Sequence, residues 1–191
     1  MQKNSFAQKT TVSALLIALG LLIPMFSPIK ILLEPASFTL ASHVPVMLSM
    51  FVSPFSAAAV AIGTTLGFLF GGFPIVVVAR AASHLLFALP GALLLQKQKR
   101  LVAGKAGLVI FCLLISAVHA LGEIAAVSVF YFAGMPVAPQ GFVYSVIGLV
   151  GLGTLIHSAV DYVITLAILK PLSSQKRIAA LFESSPFTPP A

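Results

Sequence analysis

The chain has 191 residues, 59% of them hydrophobic and only 8% charged, against about 25% charged in an ordinary soluble domain. Its 11 Lys+Arg and 4 Asp+Glu are too few to cover a water-facing surface. That excludes a globular enzyme, a nucleic-acid binder and a disordered tail, and makes the bilayer the solvent.

In chain order the sequence predicts an all-α bundle of six transmembrane helices, over 10–26, 38–52, 55–70, 74–95, 107–133 and 142–169. The first ends in the Pro24–Pro28 region. A polar-tinged connection with Lys30, Glu34, Pro35 and Ser37 leads to the second, which stops at Ser53-Pro54. The third is rich in Ala and Gly. Gly63, Gly67 and Gly71 recur on one face at four-residue spacing, which lets two helix backbones approach closely and points to packing within the molecule. Residues 1–183 form a single domain, and 184–191, with three prolines, read as a flexible tail.

Nine basic residues fall before the first span, between the fourth and fifth, and after the sixth: Lys3, Lys9, Lys97, Lys99, Arg100, Lys105, Lys170, Lys176 and Arg177. An even number of helices places these three segments on one side, and only Lys30 lies opposite. The positive-inside rule puts both termini in the cytoplasm of a multi-pass cell-membrane protein. The excess of positive charge is thereby explained without nucleic acid.

Ionisable groups inside a membrane cost roughly 2.5–3.5 kcal/mol each on insertion scales and face a cavity or a partner. Arg80, six residues after Pro74, is the sharpest case. It cannot shed its proton and its planar fork suits a carboxylate. Glu123 is the single acidic side chain of the fifth span. Either it pairs with Arg80 and both are structural, or it takes hydroxyl or amide groups of a ligand and frees Arg80 for an anion.

Arg80 with His84, His119 with Glu123, and His157 with Asp161 are pairs four residues apart, each on one helical face. Arg80, His84, His119 and Glu123 are the candidate substrate-binding residues. His157 and Asp161 are expected to be structural or to mark the inner end of the sixth span. No tight ligand spacing such as HExxH recommends a metal, and no cofactor is expected. The connection from Ser27 to His43 is the longest on the outer face and could act as a lid.

Six spans in about 190 residues, a cytoplasmic N-terminus and Ala14-Leu15-Leu16-Ile17-Ala18 followed by Gly20 on the first helix resemble the S component of an energy-coupling factor (ECF) vitamin transporter. The resemblance covers about Phe6 to Pro171. It implies a vitamin-binding subunit whose site lies near the outer face. It further implies that Ala14 and Ala18 dock on a transmembrane coupling subunit served by two ABC ATPases. The chain itself carries no GxxxxGK[ST] loop, so ATP hydrolysis belongs to the partners and no enzyme activity is expected here. Arg80 favours a carboxylate-bearing vitamin. Pantothenate comes first, because its hydroxyls and amide would engage Glu123, His84 and His119, and niacin next. A proton-coupled carrier using Glu123, His119, His157 and Asp161, and a structural subunit with Arg80 and Glu123 as an internal ion pair, are the rival readings.

Overall fold

The computed structural model describes residues 2–98, 101–138, 140–182 and 184–187. Eight α-helices are present among them: α1 (Gln2–Phe26), α2 (Val44–Met50), α3 (Pro54–Phe70), α4 (Ile75–Ala82), α5 (His84–Lys97), α6 (Lys105–Phe132), α7 (Gly153–Ser174) and α8 (Lys176–Ala179). A π-helical stretch, Val143–Leu152, runs into α7. One antiparallel hairpin, β1 (Lys30–Leu33) and β2 (Ala36–Thr39), interrupts the helical order.

Four helical segments are long and apolar enough to cross a membrane: Phe6–Phe26, Ile75–Lys97, Lys105–Phe132 and Val143–Ser174. Their outward faces are greasy, with Phe6, Phe132 and Val143 at least 75% exposed, as a lipid-facing surface requires. The chain is a membrane protein. The 17-residue α3 is also apolar. It starts cleanly because Ser53 accepts the Ser56 N–H and Pro54 sits where no donor is needed.

The second expected span, over 38–52, forms no continuous helix. It is the end of β2, a turn and the seven-residue α2, which rises only about 10 Å. Every residue of α2 is buried, so its apolar run reflects a place in the core and not contact with lipid. The return across the bundle is nevertheless made. Ser13 meets Ser56 (Oγ to Oγ 2.6 Å), and Gly63 and Gly67 meet Ile17 and Leu21. α1 and α3 therefore run parallel, and the chain between them must come back by way of the hairpin and α2.

The glycine face of α3 is used within the molecule, as expected. A Cβ on Gly67 would strike the Leu21 backbone carbonyl. Gly67→Leu should lower stability by about 1–3 kcal/mol through overpacking, read as a lower unfolding temperature in detergent.

The fourth span bends at Ser83, whose hydroxyl donates to the Arg80 carbonyl at 2.7 Å. Of the segment read as a tail, Ser184 and Ser185 are buried. Ser184 Oγ donates to the Leu95 carbonyl, and Ser185 pairs with Ser173. Residues 188–191 lie outside the described residues.

Side chains sort into layers along the helices. One apolar cluster holds Met47, Met50, Phe87, Phe111, Ile115, Tyr162 and Leu169; the other holds Phe68, Val77, Ala81, Val127, Val146 and Val150. Between Val77 and Phe87 on α4–α5 come Arg80 and His84. Between Ile115 and Val127 on α6 come His119 and Glu123. Between Val150 and Tyr162 come Thr154, His157, Ser158 and Asp161. The bundle thus holds one polar layer between two apolar ones.

Candidate functional site

The polar layer gathers all four histidines of the chain with Arg80, Glu123 and Asp161. Arg80 is 3% exposed, Glu123 3%, His84 1% and His119 0%. Arg80 Nη2 and Nε both donate to Glu123 Oε2, at 2.7 and 3.2 Å, and Nη1 donates to the Pro35 carbonyl at 2.8 Å. The two groups that the sequence left either paired or free are paired. Thr154 Oγ1 also donates to Glu123 Oε2. The other oxygen, Oε1, faces His119 Nε2 at 3.3 Å and His84 Nε2 at 3.7 Å.

The pair does not close the site. A small void of about 10 Å³, the room of a single water, lies beside it, lined by Arg80, His84 and Glu123 together with Ser37, Ser42, His43, Phe68, Thr154 and His157 among others. Three guanidinium N–H bonds are used by the ion pair and Pro35; a guanidinium has five, so capacity for a further acceptor remains. His84 Nδ1 is buried without a hydrogen-bond partner. Of the four residues expected to bind substrate, Arg80, His84 and Glu123 line the cavity. His119 packs behind it, with its ring centroid 4.6 Å from Phe87 and 4.6 Å from His43.

His43 lies at the centre and was not foreseen. Its ring touches His84, His119 and His157, with centroids 4.6, 4.6 and 4.8 Å away. Asp161 fixes it: Oδ2 accepts the His43 backbone N–H and Nδ1, each at 3.0 Å, and Oδ1 accepts the Ala41 N–H at 3.1 Å. His157 and Asp161 therefore belong to the same cluster as Arg80, with Asp161 in the structural part of holding the turn 41–43.

The connection 27–43 folds over this layer. Pro35 supplies its carbonyl to Arg80, and Phe38 stands edge-on to His157 with centroids 5.6 Å apart. The same ring occupies the space that a side chain at Gly153 would need. Ala14 and Ala18 are remote from the cavity, on the exposed side of α1, while Ser13, Leu16 and Gly20 face inward.

Over 172 residues the chain is 40% identical to the niacin transporter NiaX of Lactococcus lactis subsp. cremoris (strain MG1363), across 90% of this chain and 77% of that protein. The chain belongs to the family of that transporter. Kinship with a vitamin transporter supports the S-component resemblance and gives no support to its pantothenate-specific type. No family model and no solved structure matches the chain.

Proposed function

We propose that this chain is the substrate-binding subunit of an ECF-type importer and that its cargo is niacin in its carboxylate form, nicotinate. The observation that carries the reading is a buried guanidinium at the wall of a small cavity, in a chain 40% identical to a niacin transporter. The void of about 10 Å³ holds no more than a water, so a single-ring acid enters only as the hairpin over the layer moves aside. The carboxylate takes the remaining Arg80 donors, as a planar fork favours. Phe68 and His157 offer faces to the ring. Ser37, Ser42 and Thr154 hydroxyls and the unpartnered His84 Nδ1 are within the lining for the ring nitrogen.

Pantothenate, favoured on composition of the site alone, gives way to niacin because the relative's substrate is niacin and because Glu123 is occupied by Arg80. In this reading the termini are cytoplasmic, the hairpin β1–β2 is the outer lid, and two ABC ATPases act through a transmembrane coupling subunit docked on α1. Phe at Ala14 and Ala18 should leave nicotinate affinity within about twofold and abolish ATP-driven uptake in vesicles with the coupling subunits. The effect follows from filling a surface where small residues allow close approach.

Mass spectrometry of small molecules released from the purified chain tests the cargo. Nicotinate is expected; recovery of pantothenate or another vitamin in its place would overturn the assignment. The linked histidines and carboxylates also suit a proton-coupled carrier. Uptake driven by a pH gradient in vesicles holding this chain alone would establish that rival instead.

A further inference from the structure

The cluster of side chains at the cavity wall, backed by His119, has the form of a metal site. We propose that His43, His84 and His119, through Nε2, and Glu123, through Oε1, bind a divalent transition ion of the zinc kind. Zinc holds imidazole nitrogens and carboxylate oxygens at about 2.0–2.2 Å in a tetrahedron, which sets neighbouring ligand atoms about 3.3 Å apart. Here His43 Nε2 and His84 Nε2 are 3.2 Å apart, His119 Nε2 and Glu123 Oε1 3.3 Å, and His84 Nε2 and Glu123 Oε1 3.7 Å. One donor atom from each of the four residues lies within 4.8 Å of all the others.

The outer atoms support the same assignment. Asp161 accepts from His43 Nδ1 at 3.0 Å and Ser158 Oγ meets His119 Nδ1 at 3.2 Å, the arrangement by which second partners orient metal-binding imidazoles. Because a carboxylate only accepts, the His43 proton sits on Nδ1 and its Nε2 presents a lone pair inward. A proton on His84 Nε2 can satisfy that one contact. It leaves His119 Nε2 fully buried without a hydrogen bond. An ion at the centre accounts for all four atoms at once. Arg80 and Thr154 bind Oε2 of Glu123 and leave Oε1 to the histidines.

Charge gives an independent argument, which rests on the carboxylate cargo proposed above. With neutral histidines, Arg80, Glu123 and Asp161 sum to one negative charge, which repels an anionic guest. One proton brings the sum only to zero. A divalent ion makes it positive, and one carboxylate then neutralises the layer.

The test uses the full chain in detergent, purified without a histidine tag, stripped with chelator and titrated with Co²⁺ and then Zn²⁺. Stoichiometric appearance of the intense visible bands of tetrahedral Co²⁺, displaced by Zn²⁺, is expected. His119→Gln should abolish the bands while helical circular dichroism is retained, and Asp161→Asn should weaken Co²⁺ binding 10–100-fold. Absence of bands in the native chain, or unchanged bands in folded His119→Gln, would overturn the site. Should that variant not fold, zinc X-ray absorption on the native chain decides, by the presence or absence of several imidazoles around the ion. Nicotinate affinity is measured separately on the same sample. Loss of cargo binding with the bands intact overturns the cargo alone, and bound cargo without bands overturns the metal site alone.

Discussion

Arg80→Ala is expected to abolish nicotinate binding and to lower stability by about 3–5 kcal/mol, because the change strands the buried Glu123 carboxylate. Truncating one partner of a buried, hydrogen-bonded charge pair weakens binding by about 2–5 kcal/mol, roughly thirtyfold to several thousandfold. Calorimetric titration and thermal unfolding in detergent read the two effects apart. The double change Arg80→Met with Glu123→Leu sharpens the separation. Replacing a buried ion pair by apolar groups of similar size is often neutral or stabilising, so the fold should recover most of the loss while binding does not. If the double variant binds nicotinate like the native chain, the ion pair is a structural strut. Arg80→Lys keeps the charge but not the planar fork, and should fall between.

The second large effect is expected at Asp161. Its carboxylate takes two backbone N–H groups and the His43 ring, all from the turn 41–43. Ala41 in that turn has φ of 64°, a conformation that costs an ordinary residue energy and persists only where surroundings hold it. Asp161→Ala removes that hold and leaves buried donors unsatisfied, at about 1–3 kcal/mol each. Stability should fall by about that much or more, and His43 should leave the centre of the layer. The hairpin would lose its anchor with it. Limited proteolysis should then cut within 27–43, where the native chain resists. Asp161→Asn, which keeps an acceptor, should show the same pattern more weakly.

How much of this was legible in the residues depends on what each one reveals by itself. Arg80 and Glu123 were conspicuous because a charge in an apolar run is costly, and their four-residue companions His84 and His119 followed from helical geometry. That they meet was open, since nothing in a helix's own period tells which neighbour it packs against. His43 was passed over because it lies in a connection, where no periodicity marks the inward side. Its signal was indirect: it closes the long connection 27–43, one residue before a buried helix. The second span misled because hydropathy records apolarity and not its cause. Seven buried residues of α2, with Phe51 and Val52 after them, are as apolar as a lipid-facing stretch. His157 and Asp161 stand near the middle of the helical run 143–174, and their four-residue spacing does not tell that they face His43. A metal spacing was absent for a related reason: the four donor atoms come from a turn and from α5 and α6, so no local pattern holds more than two of them.

The central claim is that the buried Arg80 cavity selects a carboxylate. Its most direct test is parallel calorimetric titration of the purified chain with nicotinate and nicotinamide, which share ring and shape but differ in charge. Binding of nicotinate at least about thirtyfold tighter than nicotinamide is expected, since one charge-assisted contact in a buried site is worth about 2–5 kcal/mol. Equal affinity for the two, or a preference for the uncharged amide, would contradict it.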